Sequence, residues 1–237
     1  MVGEGAILAA LPIYAYEQTG SASRRHRAPA QTLRRVTDAP APSAPLAPPA
    51  TAGALDRFLD ELESPAPSPC GGTAAAITAA MAASLVTMVA RGSSDWDDGP
   101  GIASQARALR SRLTALGEED ATAFAQVLVT MRDPTGTPEQ RDFALGLALL
   151  RAAEVPLRIA EAAADVAELA AAAAGEGSPH LQPDATAAAA LAEAATQAAT
   201  HLVEINLAIV PGDRHSEKAT SLASAAAAAR ARALGAR

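Results

Sequence analysis

Alanine supplies most of the apolar residues of this chain, and aromatic side chains are almost absent. Apolar residues make up 49% of the sequence, whereas Phe, Trp and Tyr together make up only 3%. Alanine has the highest helix propensity, and its small side chain lets helices approach each other closely. Strands draw on aromatic and β-branched residues, which are scarce here. The composition therefore predicts an all-α fold.

A proline-rich segment divides the chain into two parts. Residues 39–50 read Ala-Pro-Ala-Pro-Ser-Ala-Pro-Leu-Ala-Pro-Pro-Ala. Such a sequence is typical of an extended polyproline linker. We predict that residues 1–52 form a poorly structured N-terminal segment containing this linker, and that residues 53–237 form one helical domain.

Proline, glycine and capping residues divide the domain into five or six long helices. Thr137 and Pro138 are suited to the cap and first turn of one of them, and Pro156 lies inside the same helix, where it predicts a kink. A second bend is predicted near Gly117. The predicted helices cover about residues 55–62, 73–91, 102–131, 138–174, 184–210 and 216–237.

Small side chains limit how much apolar surface such a bundle can bury. Each square ångström of buried apolar area contributes roughly 25 cal/mol, so helices with alanine faces gain little per residue. Burying a broad helical face against a second copy would add to this. We therefore predict a homodimer, with a marginally stable monomer as the alternative.

The charge distribution bears on the possible partners. The net charge is −7, yet residues 1–52 contain five arginines and only three acids, so the remainder is strongly acidic. Nucleic-acid binding depends on neutralising phosphates, which an acidic domain does poorly. The N-terminal arginines have no aromatic residues among them and favour a solvated tail. We predict no nucleic-acid partner.

Cysteine and hydropathy patterns bear on the compartment. Cys70 is the single cysteine, so no disulfide can form within the chain and no cysteine-based zinc site is possible. We predict no metal. No apolar run reaches the roughly 18 residues of a membrane span. The sequence favours a cytoplasmic protein without a membrane association.

The segment after the first helix carries the most specific motif. Residues 62–73 read Leu-Glu-Ser-Pro-Ala-Pro-Ser-Pro-Cys-Gly-Gly-Thr and lead into a helix of small residues. This resembles the Leu-Ala-Ser-Pro-x-Pro-x-Pro-Gly-Gly-Gly-Ser signature of the formimidoyltetrahydrofolate cyclodeaminase and methenyltetrahydrofolate cyclohydrolase family. Three further segments resemble the family in order: Leu116–Phe124 with its Asp-x-x-Ala-Phe phrase, Ala153–Leu157 with Val-Pro-Leu, and Asp184 followed by Glu204–Leu207 with Ile-Asn-Leu. The resemblance covers about residues 53–225.

The resemblance implies an enzyme that acts at the one-carbon bridge between N5 and N10 of tetrahydrofolate. A tetrahydrofolate derivative would be its substrate, and no metal is implied. The sequence leaves open whether the enzyme is a formimidoyltetrahydrofolate cyclodeaminase or a methenyltetrahydrofolate cyclohydrolase. The alternative is a catalytically degraded paralogue that serves as a helical dimer scaffold or a folate-binding module.

Several residues are candidates for the site. Gly71, Gly72 and Thr73 form a turn entering a helix, whose exposed backbone N–H groups could bind an anionic or carbonyl group of the folate. Alternatively, these residues only permit a tight turn and close helix packing. In the family, the acid that corresponds to Asp184 is thought to transfer protons. Its alternative role is that of a helix N-cap.

Two more candidates are polar residues within predicted helices. Asn206 lies in the stretch Ile-Asn-Leu-Ala-Ile, so its amide would be buried and needs partners. It would either bind the pterin or tie two helices together. Glu154, just before Pro156, could bind the edge of the pterin or be an exposed or paired structural carboxylate.

The sequence departs from the family pattern in three places. Cys70 replaces the first glycine of the family's triplet and would be strained if that position required a positive φ. Asp95, Asp97 and Asp98 stand where a lysine-containing phrase is usual, and would repel an anionic folate tail. The segment before Asp184 also differs. These changes motivate the scaffold alternative.

Overall fold

A computed structural model describes residues 52–64, 69–207 and 214–236. The predictions for residues 1–51 lie outside these ranges. The chain divides into two compact units, Met1–Leu59 and Asp60–Arg237. Of the first unit, the structure describes residues 52–59, which begin a helix with Leu55 and Leu59 exposed.

The described residues form six α-helices and no strand, which confirms the predicted fold class. A short 3₁₀ helix, Pro179–Leu181, precedes the fifth. The α-helices are α1 (Ala52–Glu63), α2 (Gly71–Gly92), α3 (Gly99–Arg132), α4 (Pro138–Glu176), α5 (Gln182–Leu207) and α6 (Arg214–Gly235).

The core of the second unit lies around α2 and α4. Helix α2 packs against α3, α4 and α5, and α4 packs against α2, α3, α5 and α6. Alanine lines most of these contacts, with Val86, Leu113, Leu116 and Ile159 as the largest fully buried side chains around them. Because alanine adds so little volume, the helices can pack closely, as the composition predicted.

Helix α2 is apolar on nearly every side and has no charged residue before Arg91. By length and composition alone it could cross a membrane, with a mean hydropathy of 1.8 over an 18-residue window, so the prediction that no apolar run reaches this length is wrong. However, 61% of that window is buried inside the protein. A helix that is apolar all round needs such a buried position, and α2 has one against three neighbouring helices.

Most predicted helix boundaries are correct to within about two or three residues, but two predictions are wrong. Helix α3 runs without a break through Gly117, since one glycine costs a long helix only about 1 kcal/mol. Helix α5 begins at Gln182, so Asp184 lies within its first turn and is not its N-cap. The predicted cap of α4 is confirmed: Thr137 and Gln140 form a reciprocal capping box.

Helices α3 and α4 are longer than their neighbours and extend beyond them. Asp120 of α3 lies level with the first turn of α2, and Ala152 of α4 lies level with the last described turn of α5. The twelve residues of α3 after Asp120 therefore continue for about 18 Å past the start of α2. We call residues 121–151 the hairpin arm; its buried Val127 and Leu149 pack in a small core with Ala152 at its base.

Candidate functional site

The first turn of α2 faces a buried carboxylate from α3. Cys70 is the N-cap of α2 and has an extended conformation, and its side chain makes no capping hydrogen bond. The acceptor comes from Asp120, which takes a hydrogen bond from the Thr73 backbone N–H. The Thr73 hydroxyl in turn donates to the Gly117 carbonyl over 3.1 Å. The Gly-Gly-Thr turn thus meets an acidic group of the protein itself.

Gly72 is the residue that makes room for this carboxylate. A Cβ atom at position 72 would lie 2.3 Å from Asp120 Oδ2 and 2.4 Å from Oδ1. Atoms cannot approach so closely, so any other residue at position 72 would force the carboxylate to move. Gly71, by contrast, has open space at its Cβ position. The two adjacent glycines therefore differ in their function.

Burial determines the protonation behaviour of Asp120. The residue is only 7% exposed, and desolvation raises the pKa of its carboxyl group above the ordinary value of 3.8. The hydrogen bonds from Cys70 and Thr73 act in the opposite direction but are smaller. Asp120 is thus a carboxylate whose proton affinity is shifted toward neutral pH, as proton-transfer groups require.

The Cys70 thiol completes this cluster. Its Sγ lies 3.5 Å from Asp120 Oδ2, to which the thiol donates a hydrogen bond. Burial and the neighbouring Asp120 charge raise the pKa of the thiol above 9.0, so it stays protonated. The backbone strain that a positive φ would cause at Cys70 is absent, because φ is −137° and any residue adopts this conformation.

Asn206 ties two helices together through a defect that Pro156 creates. Proline has no N–H, so the Ala152 carbonyl one turn earlier loses its helical partner. The Asn206 side chain of α5 donates to that carbonyl over 3.0 Å. The Val-Pro-Leu and Ile-Asn-Leu motifs are therefore in contact, and the structural role considered for Asn206 is present.

Glu154 lies on a different surface. It is exposed and lines an open groove of about 1010 Å³ between α3 and α4. Glu119 and Arg158 form an ion pair in the same groove. Asp120 follows Glu119 directly on α3 and points about 100° away from it around the helix, so the groove runs along a different face of α3 from the buried carboxylate.

Asp184 lies at the opposite end of α2 from these groups. Leu181, just before α5, contacts Gly92 at the end of α2, whereas Asp120 contacts Gly72 at its start. The 20 residue steps from Gly72 to Gly92 span about 30 Å of helix. Within one chain, Asp184 and the Gly-Gly-Thr turn therefore do not line a common cleft. The catalytic role of Asp184 stays a prediction.

Asp120 is the residue that the sequence analysis did not single out. It belongs to the Asp-x-x-Ala-Phe segment, and its position in the helical repeat of apolar residues indicates that it faces inward. Leu113, Leu116, Asp120 and Val127 follow the helical period, and all four are buried. A carboxylate at an inward position of such a series must find partners, and so it is a candidate for function. Within the described ranges, no group of three or more His, Cys, Asp or Glu residues could hold a metal ion.

Comparison with known proteins identifies the family of this chain. Residues 54–227 match the family described as Formiminotransferase-cyclodeaminase. The chain is 33% identical over 162 residues to a methenyltetrahydrofolate cyclohydrolase of Methylorubrum extorquens, covering 64% of this chain and 78% of the relative. It is 36% identical over 120 residues to the formimidoyltransferase-cyclodeaminase of Rattus norvegicus, covering 45% of this chain but only 22% of that protein.

A solved structure has the same architecture. The formiminotetrahydrofolate cyclodeaminase of Thermotoga maritima superimposes with a TM-score of 0.69 at 25% sequence identity, covering 76% of this chain and 93% of that chain. Sequence and fold thus agree on one class, the all-helical proteins of folate one-carbon chemistry. The chain belongs to the formiminotransferase-cyclodeaminase family, and the resemblance identified from the motifs is confirmed.

Proposed function

We propose that this protein is an enzyme of folate one-carbon metabolism, and that Asp120 at the start of α2 transfers the protons of its reaction. The single observation that carries the assignment to Asp120 is its burial at 7% exposure against the Gly-Gly-Thr turn. Family membership supports the substrate class, a one-carbon derivative of tetrahydrofolate.

The two family reactions need the same kind of group. In deamination of the protonated formimidoyl group, N10 attacks the formimidoyl carbon, the bond from that carbon to the amino nitrogen breaks, and ammonia leaves. One proton must pass from N10 to the departing nitrogen. A carboxylate with a raised pKa can accept this proton from N10 and deliver it to the departing nitrogen, because its proton affinity is closer to those of the two nitrogens.

The hydrolysis reaction opens the one-carbon bridge that deamination closes, and the bridging carbon is the electrophile in both. Water attacks the methenyl carbon, the bond to N5 breaks, and the formyl group stays on N10. One proton of the water goes to N5 and the other to solvent. Asp120 would accept a proton from the attacking water, and its charge would stabilise the cationic amidinium before attack.

Other predicted residues would bind substrate around this group. The backbone N–H groups of Gly71 and Gly72 lie at the positive end of the α2 dipole and suit a carbonyl or carboxylate oxygen. Glu154 lines the groove on another face of α3, and its carboxylate suits the donor edge of a pterin. Asn206 already donates to Ala152, which leaves its carbonyl oxygen as the group available to a ligand.

The decisive experiment compares two carboxylates at opposite ends of α2. Methenyltetrahydrofolate absorbance is followed with wild type, Asp120→Asn and Asp184→Asn, each supplied separately with the methenyl and the formimidoyl substrate. Loss of methenyl absorbance identifies a cyclohydrolase, and its appearance from the formimidoyl compound identifies a cyclodeaminase. We expect Asp120→Asn to lower kcat by at least about 100-fold, as loss of a general acid–base does.

The matched variant separates the alternatives. If Asp184→Asn loses activity while Asp120→Asn keeps it, then Asp184 is the proton-transfer group and Asp120 only caps α2. If wild type neither turns over nor binds either substrate, the enzymatic proposal fails and the helical scaffold takes its place. Asparagine keeps an acceptor for the Thr73 N–H, so the Asp120 variant should still fold.

We also infer a homodimer located in the cytoplasm. The dimer is supported by the hairpin arm, where large apolar side chains are exposed: Val129, Met131, Phe143, Leu147 and Leu150. Apolar patches of this kind commonly mark an interaction surface.

A further inference from the structure

The Asp120 carboxylate has one side-chain partner that is not explained by helix capping. Its contacts are the Thr73 backbone N–H, the backbone of Gly72 and the Cys70 thiol. The Thr73 bond caps α2 and would form with any acceptor. The thiol bond comes from a residue outside the helix and fixes the direction in which one carboxylate oxygen points.

We propose that Cys70 is a positioning residue, whose protonated thiol, 3.5 Å from Asp120 Oδ2, holds the carboxylate in the orientation that proton transfer requires. This inference rests on the proposed function of Asp120. The thiol does not touch the reacting atoms and is not a nucleophile here, because burial keeps it protonated.

Few other groups could take over this role. Helix α2 carries no charge or titratable side chain before Arg91, at its far end. On α3 and α4, Glu119 and Arg158 are exposed and pair with each other. Burial and the hydrogen bonds from Cys70 and Thr73 are the influences on the Asp120 pKa. Removal of the thiol should therefore act directly on the carboxylate.

Serine and alanine at position 70 isolate the donor from the space it fills. Cys70→Ser keeps a donor and introduces a good helix N-cap, so it should fold and retain kcat to within about threefold. Cys70→Ala removes the donor, and we expect kcat to fall by about five- to tenfold with KM unchanged within twofold, the scale of one lost hydrogen bond. Ser84→Ala, on an exposed face of α2, is the control for loss of a small polar group.

The pH profile provides a readout that a packing role would not change. The thiol hydrogen bond stabilises the ionised carboxylate, so its loss should raise the Asp120 pKa and move the acidic limb of kcat to higher pH. Cys70→Ser should restore the limb toward its wild-type position. Equal kcat and equal profiles for wild type, Cys70→Ser and Cys70→Ala would overturn the proposal.

A measurement without substrate separates this inference from the proposed function. The Asp120 carboxyl is titrated by carbon-13 NMR in wild type and Cys70→Ala. A higher pKa in the variant supports the positioning contact even if neither folate compound reacts, whereas an unchanged pKa overturns it. If wild type is inactive but the Asp120 pKa is still higher in Cys70→Ala, the catalytic role of Asp120 is refuted and the positioning contact stands.

Discussion

At the scale of single residues, the two glycines that open α2 make an internal comparison. Gly71 has free space at its Cβ position, whereas a Cβ at Gly72 would collide with both oxygens of Asp120. The sequence motif alone does not distinguish Gly71 from Gly72. Only the neighbouring helix distinguishes them, because it places a carboxylate against one and solvent beside the other.

The first prediction follows from that difference. Gly72→Ala should displace the Asp120 carboxylate and lower kcat by at least about tenfold, since small misplacements of catalytic groups cost large factors in rate. Gly71→Ala should retain activity and gain up to about 1 kcal/mol of stability from reduced chain entropy. Turnover assays with thermal melts test both variants; equal activity in the two would contradict the prediction.

The second prediction concerns how stability depends on pH. Because the folded-state pKa of Asp120 lies above 3.8, the folded protein binds this proton more tightly than the unfolded chain does. Asp120 thus contributes stability below pH 3.8, and the contribution is lost as pH rises through the folded-state pKa. Relative to Asp120→Asn, wild type should become less stable between pH 4 and pH 7.

Urea denaturation of both proteins at several pH values measures this difference. The lowered pKa values of Asp133 and Glu139 have the opposite effect on absolute stability. They are present in both proteins, and so they cancel in the comparison. A difference that does not change with pH would mean that the Asp120 pKa is not raised.

At the scale of helices, α4 and α5 are joined by a side-chain hydrogen bond to a backbone carbonyl that has no partner within α4. Pro156 leaves the Ala152 carbonyl without its helical partner, and Asn206 supplies a donor from the next helix. Two motifs that are 50 residues apart in sequence thus form one structural unit. This contact explains why an amide residue lies between Ile205 and Leu207 in the last turn of α5.

The third prediction tests this unit with a double-mutant cycle. Asn206→Ala should destabilise the protein by about 1 kcal/mol, because a helix carbonyl loses its donor. In a Pro156→Ala background the new N–H can bond to Ala152, so the cost of Asn206→Ala should shrink markedly. Urea denaturation measures the coupling, with Gln197→Ala as an exposed-amide control on α5. Equal costs in both backgrounds would contradict the interpretation.

At the scale of the whole molecule, the hairpin arm is the part least explained by a single chain. Its helices extend past the start of α2 and past the described end of α5, and Phe143 on the arm is 69% exposed. A stable dimer buries about 800 Å² per partner around a few large apolar anchors. The five exposed apolar residues of the arm are suited to that role.

The fourth prediction is therefore that the protein sediments as a dimer and that Phe143→Asp converts it to a monomer. A buried charge at the centre of an interface is strongly unfavourable. Leu234→Asp places the same charge on an exposed apolar position of α6 and should leave the dimer intact. Analytical ultracentrifugation at several concentrations distinguishes the species. A monomeric wild type, or a dimeric Phe143 variant, would rule out this interface.

Much of the fold was predictable because its causes are local. Alanine content specifies helices, and the capping box at Thr137 and Gln140 needs only residues that are close in sequence. The bend expected at Gly117 was wrong because one glycine costs a helix of 34 residues little, and because tertiary packing stabilises α3 on both sides of it. The predicted start of α4 at Pro138 was correct for the same local reason.

By itself, the sequence determined the all-helical fold, the family and the presence of a glycine turn opening α2. The tertiary structure alone decided which acid meets that turn. Asp120 lies 50 residues from Cys70 in sequence and contacts it only because α3 packs against α2. Asp184 lies at the other end of α2 because α5 begins beside Gly92. Helix periodicity indicates which residues face inward, but only packing decides which of them meet.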